Sequence, residues 1–258
     1  MILKNKKILI SGANRGIGKS LVKLLASEKV HLGLILRKKE DQLSEELKRL
    51  GATSVVQFEC DLTELESLKS ISSQLELFAP DILVNNAGLL TGGLLEEQEW
   101  KDVHNMLLVN VHALIYLTHL ILPGMLERKS GKIVNHGSVS SVMFFPCAST
   151  YAASKAAVLA FTESLATELE NTGVSTLLLL TPGVKTDMFD QIQPLYGKHI
   201  EMTIPSVVPE VYAKEVLDAI KADIGVLSPK GLTGINMLLA RHFPLIFKKL
   251  ASSRFRRE

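Results

Sequence analysis

Ser11-Gly12-Ala13-Asn14-Arg15-Gly16-Ile17-Gly18, SGANRGIG, follows the apolar run Lys7-Ile8-Leu9-Ile10 and leads into a segment with helical periodicity. A turn that carries a strand into a helix presents free N–H groups and the positive end of the helix dipole, which together favour an anion such as a pyrophosphate. The spacing Gly12-x3-Gly16-x-Gly18 differs from the G-x-G-x-x-G of the common dinucleotide fingerprint. Its mechanics are the same: a tight turn, close approach of a ligand to backbone, and close packing of helix on strand. Arg15 leaves one positive charge among the glycines.

Outward from this turn, apolar runs of strand length recur at 8–10, 31–36, 55–58, 82–84, 132–134, 174–180 and 226–227. Between them, Ile17, Leu21, Leu24 and Leu25 share one helical face, as do Leu65, Leu68, Ile71 and Leu75. Leu43, Leu47 and Leu50 repeat the spacing, and so do Ala213, Val216, Leu217 and Ile220 behind the helix-start pair Pro209-Glu210. Continuous apolar strands alternating with amphipathic helices predict an α/β fold, a doubly wound parallel sheet of about seven strands with helices on both faces. Neither a repeat nor a linker interrupts residues 1–258, so a single domain is expected; the segment 186–208 is its irregular exception.

Composition narrows the function classes. A net charge of +2 gives no reason to expect nucleic acid. Cys60 and Cys147 form no C-x-x-C and have no clustered His, so neither a disulfide framework nor a metal site is expected. The N-terminal apolar run is too short for a signal peptide, and no uninterrupted apolar stretch reaches the roughly 18 residues of a spanning helix. A soluble, cytoplasmic protein is the expectation.

About 20 residues beyond the glycine turn, an NAD site would offer a carboxylate to the adenosine ribose. This chain offers Arg37-Lys38-Lys39 instead. A guanidinium binds a 2′-phosphate that a carboxylate would repel, so NADP (NADPH) is the expected cofactor over NAD, with Arg15 converging on the same phosphate. Further on, Ser138 follows the fifth strand, and Tyr151 and Lys155 stand four apart on one face of an alanine-rich helix.

These residues together resemble the short-chain dehydrogenase/reductase (SDR) family in its compact single-domain branch, which implies a Rossmann fold. SGANRGIG is similar to the family's T-G-x3-G-x-G with Ser11 in place of threonine, and Asn85-Asn86-Ala87-Gly88 matches its N-N-A-G. Asp61 in CDLTEL corresponds to its adenine-contacting aspartate, and Asn110 in LLVNVHA to the asparagine of its Asn-Ser-Tyr-Lys tetrad. The resemblance implies a catalytic set of Asn110, Ser138, Tyr151 and Lys155. It implies cofactor contacts from Gly12, Asn14, Arg15, Gly16, Ile17 and Gly18, from Arg37, Asp61 and Leu62, from Asn86, Ala87 and Gly88, from Tyr151 and Lys155, and from Pro182, Gly183, Val184 and Thr186. The family separates P-G from threonine by three residues, whereas Pro182-Gly183-Val184-Lys185-Thr186 leaves two.

Hydride transfer belongs to the nicotinamide, so the protein must hold the reacting carbon close and handle one proton. Tyr151 is the expected acid/base, its phenol made acidic by the Lys155 ammonium and the positive nicotinamide, with Ser138 donating to the substrate oxygen. The resemblance assigns Lys155 a grip on the nicotinamide ribose and Asn110 a water linking that lysine to solvent. Pocket walls are expected from Met143, Phe144, Phe145 and Cys147 and from Met188, Phe189, Leu195, Tyr196 and Met202, suiting a small apolar carbonyl or alcohol substrate. His199 is expected at the surface. The basic and apolar extension 230–258 is expected to pack on its own domain or a second subunit, with weak membrane-surface contact as the alternative, and Pro244 to break its helix. The family commonly forms homodimers or homotetramers. An NADP(H)-binding regulator or pseudoenzyme without turnover is the rival reading, opposed by the intact tetrad.

Overall fold

The computed structural model describes residues 1–200 and 204–257. Six strands are β1 (Lys7–Ser11), β2 (His31–Leu36), β3 (Ser54–Glu59), β4 (Ile82–Asn85), β5 (Gly131–His136) and β6 (Val174–Leu179). A short pair follows, β7 (Gly183–Val184) and β8 (Ser206–Val207), and then β9 (Val226–Leu227). The central sheet has seven parallel strands in the order β3-β2-β1-β4-β5-β6-β9. All seven apolar runs read from the sequence lie in it, the inner strands buried on both faces and the edge strands β3 and β9 partly exposed.

Alternation along β1 divides the core. Ile8 and Ile10 face α1 (Gly16–Ala26), α2 (Asp41–Arg49) and α9 (Pro209–Ala222), burying Leu21, Leu25, Leu43, Leu47, Val216 and Ile220. Leu9 faces α3 (Leu65–Phe78), α5 (Leu114–Glu127) and α6 (Ser149–Glu168), against Leu68, Ile71, Leu75, Leu117 and Leu165. The run from α4 (Trp100–Leu107) through Leu108–Ala113 to α5 is continuously helical, and Leu108–Ala113 takes the wider π geometry, which recurs at functional sites. By length and composition this run, Trp100–Glu127, is apolar enough to cross a membrane; here 44% of its most apolar window is buried inside the fold.

The region 186–208, read as irregular, is organised by its base. β7 pairs with β8 through Gly183↔Ser206 and Val184↔Val207, so the two short strands clamp both ends of the loop. Between them lie α7 (Asp187–Asp190) and α8 (Ile192–Tyr196). The extension forms α10 (Gly231–His242) and α11 (Pro244–Ser252), with the break where Pro244 predicts it.

One buried charge ties the far edge of the sheet together. Lys132 on β5 is inaccessible to water, and its ammonium donates to Asp223 beyond α9, to Ser175 Oγ at 3.2 Å and to the Ile224 carbonyl at 3.4 Å. Removing the carboxylate leaves that ammonium with neutral acceptors alone. Asp223→Ala is expected to cost roughly 2–3 kcal/mol in urea unfolding, and Lys132→Met in the same chain to recover most of it. A double variant no more stable than Asp223→Ala would refute the unpaired charge as the cause.

Candidate active site

The glycine turn, the basic segment, Asp61, Asn86-Ala87-Gly88, Ser138 and Pro182-Gly183 each follow the carboxyl end of a different parallel strand. Order reverses between β1 and β4, where open α/β sheets bind ligands. At this point the first and fourth loops are stapled together. The Ser11 hydroxyl accepts from the Asn86 N–H at 3.2 Å and the Ala87 N–H at 3.1 Å, and Asn86 Nδ2 donates to the Ser11 and Gly12 carbonyls, both at 3.0 Å. Serine supplies the same oxygen as the threonine it replaces.

What passes close to two of the glycines is the chain itself. Gly12 has φ of +68°, and a Cβ on it would lie 2.9 Å from the Ala87 Cα. A Cβ on Gly18 would lie 2.1 Å from the Gly12 carbonyl oxygen and 2.5 Å from Asn86 Nδ2. The neighbour of Gly16 is Thr186, whose Cγ2 would be 3.1 Å from an added Cβ. The shortened Pro-Gly to Thr segment therefore still delivers Thr186 to the glycine turn. Thr186 also caps α7, its hydroxyl accepting from the Phe189 N–H at 3.3 Å.

Arg15 and Arg37 are both exposed, at the N-terminus of α1 and just beyond β2. Asp61 beyond β3 accepts from the Thr63 N–H at 2.9 Å and the Thr63 hydroxyl at 2.7 Å, which with nearby Arg37 hold its carboxyl below the usual range despite partial burial. Leu62 packs its side chain into the core with Leu68 and Phe58. The motif reading passed over Glu40. Its carboxylate accepts from Asn14 Nδ2 at 2.7 Å and so braces the turn from the β2 side.

Asn110 sits in the π segment, where the widened turn lets its side chain reach the loop after β4. Its Oδ1 accepts from the Leu89 N–H at 2.8 Å, and its Nδ2 donates to the Leu89 carbonyl at 2.9 Å and to Ser154 Oγ at 3.1 Å. Both amide protons are thus spent on protein, binding that loop to α6. Below, a buried polar chain crosses the sheet. Asn85 donates to Thr118 and Asn135, and Asn135 donates to Thr162, fixing β4 and β5 between α5 and α6.

Tyr151 and Lys155 lie one turn apart on α6. The Lys155 ammonium donates to the His136 carbonyl at 2.8 Å, a partner no motif signals, and lies 5.8 Å from the Tyr151 ring centre. Without the nicotinamide, the Lys155 charge does not by itself make the Tyr151 phenol acidic. Burial pushes the phenol up to about 12, and only the Ser138 hydroxyl pulls it back. Burial likewise pulls Lys155 down to about 8, and burial together with the Lys155 charge takes His136 down to about 3. In the protein alone Tyr151 is held in its protonated form.

Ser138 and Tyr151 line a largely apolar cavity of about 640 Å³ that continues past Ile17 and the Pro182–Thr186 segment. Met143, Phe145, Met188, Phe189 and Tyr196 line it as read from sequence. Phe144 does not; its ring is exposed. Cys147 packs behind the wall with Leu94 and Tyr196, Leu195 joins the same cluster, and Met202 lies outside the described residues. Missed by the sequence reading are Leu90, Ile192, Ile200 and Ile204, and above all Leu232, Phe247 and Leu250 of the extension. Phe247 meets Phe145 edge-on with ring centres 5.6 Å apart. His199 is buried rather than exposed, its Nε2 3.0 Å from Glu97, because the Arg256 N–H bonds to its carbonyl and the tail closes over it.

The lowered Lys155 pKa is also a statement about stability. A lysine that titrates at about 8 when folded and near 10.5 when unfolded disfavours the folded state below pH 8, and this cost fades as pH rises from about 8 to 10.5. Lys155→Met is therefore expected to be more stable than the parent at pH 7 by about 1–2 kcal/mol, after the lost His136 hydrogen bond is counted. Denaturant melts between pH 7 and 10.5 should show that advantage shrinking. An advantage that grows with pH would contradict the assignment.

Residues 6–196 match the short chain dehydrogenase family. A short chain dehydrogenase of Pseudocercospora fijiensis is 37% identical over 195 residues, 72% of this chain and 62% of that protein, so the chain spans less than two thirds of that relative's length. The 3-oxoacyl-(acyl-carrier-protein) reductase of Vibrio cholerae is 35% identical over 195 residues, 73% of this chain and 77% of that one. Among solved structures, a short-chain dehydrogenase from Sphingobium yanoikuyae in complex with NADPH superimposes with a TM-score of 0.78 at 25% identity, covering 98% of each chain. The glycine turn, its N-N-A-G partner and the helix bearing Tyr151 and Lys155 all fall within the matched span, and the chain belongs to the short-chain dehydrogenase/reductase family of oxidoreductases.

Proposed function

We propose that this chain is an NADP(H)-dependent carbonyl reductase or alcohol dehydrogenase acting on an apolar ketone, aldehyde or secondary alcohol. The observation that carries the reading is a single apolar cavity that holds Ser138 and Tyr151 in its wall and runs on to the glycine-turn residue Ile17. The NADPH bound by the Sphingobium yanoikuyae relative supports the cofactor.

The site fits a dinucleotide. The first turn of α1 aims its free N–H groups at the sheet edge, and Gly12, Gly16 and Gly18 leave that turn without side chains. Arg37 occupies the place of a ribose-binding carboxylate, and with Arg15 it supplies guanidinium groups for a 2′-phosphate. Asp61 and Leu62 would hold the adenine end of the dinucleotide, Asn86, Ala87 and Gly88 its middle, and Pro182, Gly183, Val184 and Thr186 its nicotinamide end. When bound, the nicotinamide supplies or accepts the hydride.

The remaining work falls to the chain. Ser138 donates to the substrate oxygen and holds it beside the Tyr151 hydroxyl. Tyr151, kept protonated by burial, gives its proton to that oxygen as the carbonyl becomes an alcohol; oxidation runs the same transfer backwards. Lys155 lends positive charge under the ring as the phenolate forms. Asn110 braces the loop of Leu89 against α6, and any water it holds must use its remaining lone pair. Apolar side chains from the 186–208 loop and the 230–258 extension line the cavity in which the transfer takes place.

The same reading extends to a cytoplasmic single domain and to a homodimer or homotetramer, for which the outer face of Trp100–Glu127, with Trp100, Leu107 and Ile115 exposed, is the candidate contact. Tyr151→Phe is expected to lower turnover at least about a thousandfold in a screen of aliphatic, aromatic and steroidal carbonyls, while NADPH affinity is kept. Arg37→Ala is expected to weaken NADPH by about tenfold and leave NADH unchanged. An unaltered rate in the tyrosine variant, or no oxidation of NADPH by the parent with any carbonyl, would overturn the reading and favour a nucleotide-binding regulator.

A further inference from the structure

The extension presents an apolar face that its own fold does not cover. Leu232, Ile235 and Leu238 recur every third residue along one side of α10, and Phe243, Leu245 and Ile246 follow at the start of α11. Their exposures run from 54% at Ile246 to 81% at Leu245. Opposite faces are anchored, with Ala240 and Phe247 buried against Met143. The arrangement is therefore a docked helix pair, not a frayed end.

The charge along this segment is almost all of one sign, Glu258 being its one acidic residue. From Pro229 to Arg257 the sequence contains no Asp or Glu. Arg241, Lys248, Lys249, Arg254 and Arg256 are exposed, and among the described residues only the neighbouring Arg257 has a carboxylate partner, Glu96. Two copies meeting through this face would bring like charges together, which opposes association. A bilayer with anionic headgroups satisfies both halves, taking the apolar side chains into its interface and pairing the cations with lipid phosphates and carboxylates. Helices of 12 and 9 residues, broken at Pro244, are too short to span the roughly 30 Å hydrocarbon layer and so would lie in its surface.

We propose that α10 and α11 form a docking platform for an anionic lipid surface. The platform adjoins the cavity, since Leu232 and Leu250 are exposed on it and line the cavity as well. Docking therefore sets the mouth of the pocket against the lipid. The inference rests on exposed surface and charge, independently of the hydride-transfer reading.

The test is sedimentation of the full chain with vesicles of phosphatidylcholine alone or with roughly one-fifth phosphatidylserine. The expected result is binding about tenfold tighter to the mixed vesicles, weakened when salt is raised to about 0.5 M. Ile235→Asn combined with Leu245→Gln, two positions outside the cavity lining, is expected to abolish sedimentation without changing NADPH affinity or the melting temperature. A parent chain that stays in the supernatant with both vesicles, or a variant that sediments equally, overturns the proposal. So does light scattering in which the double substitution halves the mass of the lipid-free protein, because a second copy then covers the face. Sedimentation by a chain that reduces no carbonyl would keep the docking and refute the enzymatic reading alone.

Discussion

The contact on which the site depends is the seating of the first turn of α1 against the ends of β1 and β4. Gly18 faces the Gly12 carbonyl and the Asn86 amide at distances that leave no space for a methyl group. Asn86 in turn holds both the Ser11 and Gly12 carbonyls, and Ser11 returns two hydrogen bonds to the backbone of the β4 loop. Glycine sequence, helix direction and the split between neighbouring strands are thus one mechanical unit. It aims the helix N-terminus at the cleft and fixes the floor on which Asn110, Tyr151 and Lys155 are arranged.

The chemistry is held in place by buried polar groups. Asn85, Asn135, Thr118 and Thr162 form a hydrogen-bonded chain through the sheet, and Lys155 lies in a site that disfavours its charge. Burial acts on Tyr151 and Lys155 in opposite directions, raising one and lowering the other. Each is pushed towards its neutral form. Sequence spacing puts a cation near the phenol and suggests an acidic tyrosine; desolvation outweighs it in the protein alone.

Legibility followed the range of the interaction. The seven sheet strands are readable as short continuous apolar runs, and the helices α1, α2, α3 and α9 because one-sided burial writes its period into the sequence. The long helix Trp100–Glu127 has no such sharp stripe, since one side packs on the sheet and much of the rest is also apolar; only the asparagine motif marked it. The loop motifs share one edge because each follows a strand end, whereas Asn110, Tyr151 and Lys155 reach that edge from helices. Glu40 against Asn14, the β7–β8 clamp, buried His199 and the wall formed by Phe247 depend on contacts between distant segments, and no local pattern records them. Phe144 was misplaced for a related reason: its neighbour Phe145 takes the inward position, and hydrophobicity alone does not say which of the two turns in.

Titration calorimetry of NADPH into the parent chain and into Gly18→Ala tests the central contact most directly. The seating of α1 predicts saturable binding by the parent and a loss of about a hundredfold or more in the variant, because an added methyl must push the helix N-terminus off Gly12 and Asn86. Equal affinities in the two proteins would contradict it.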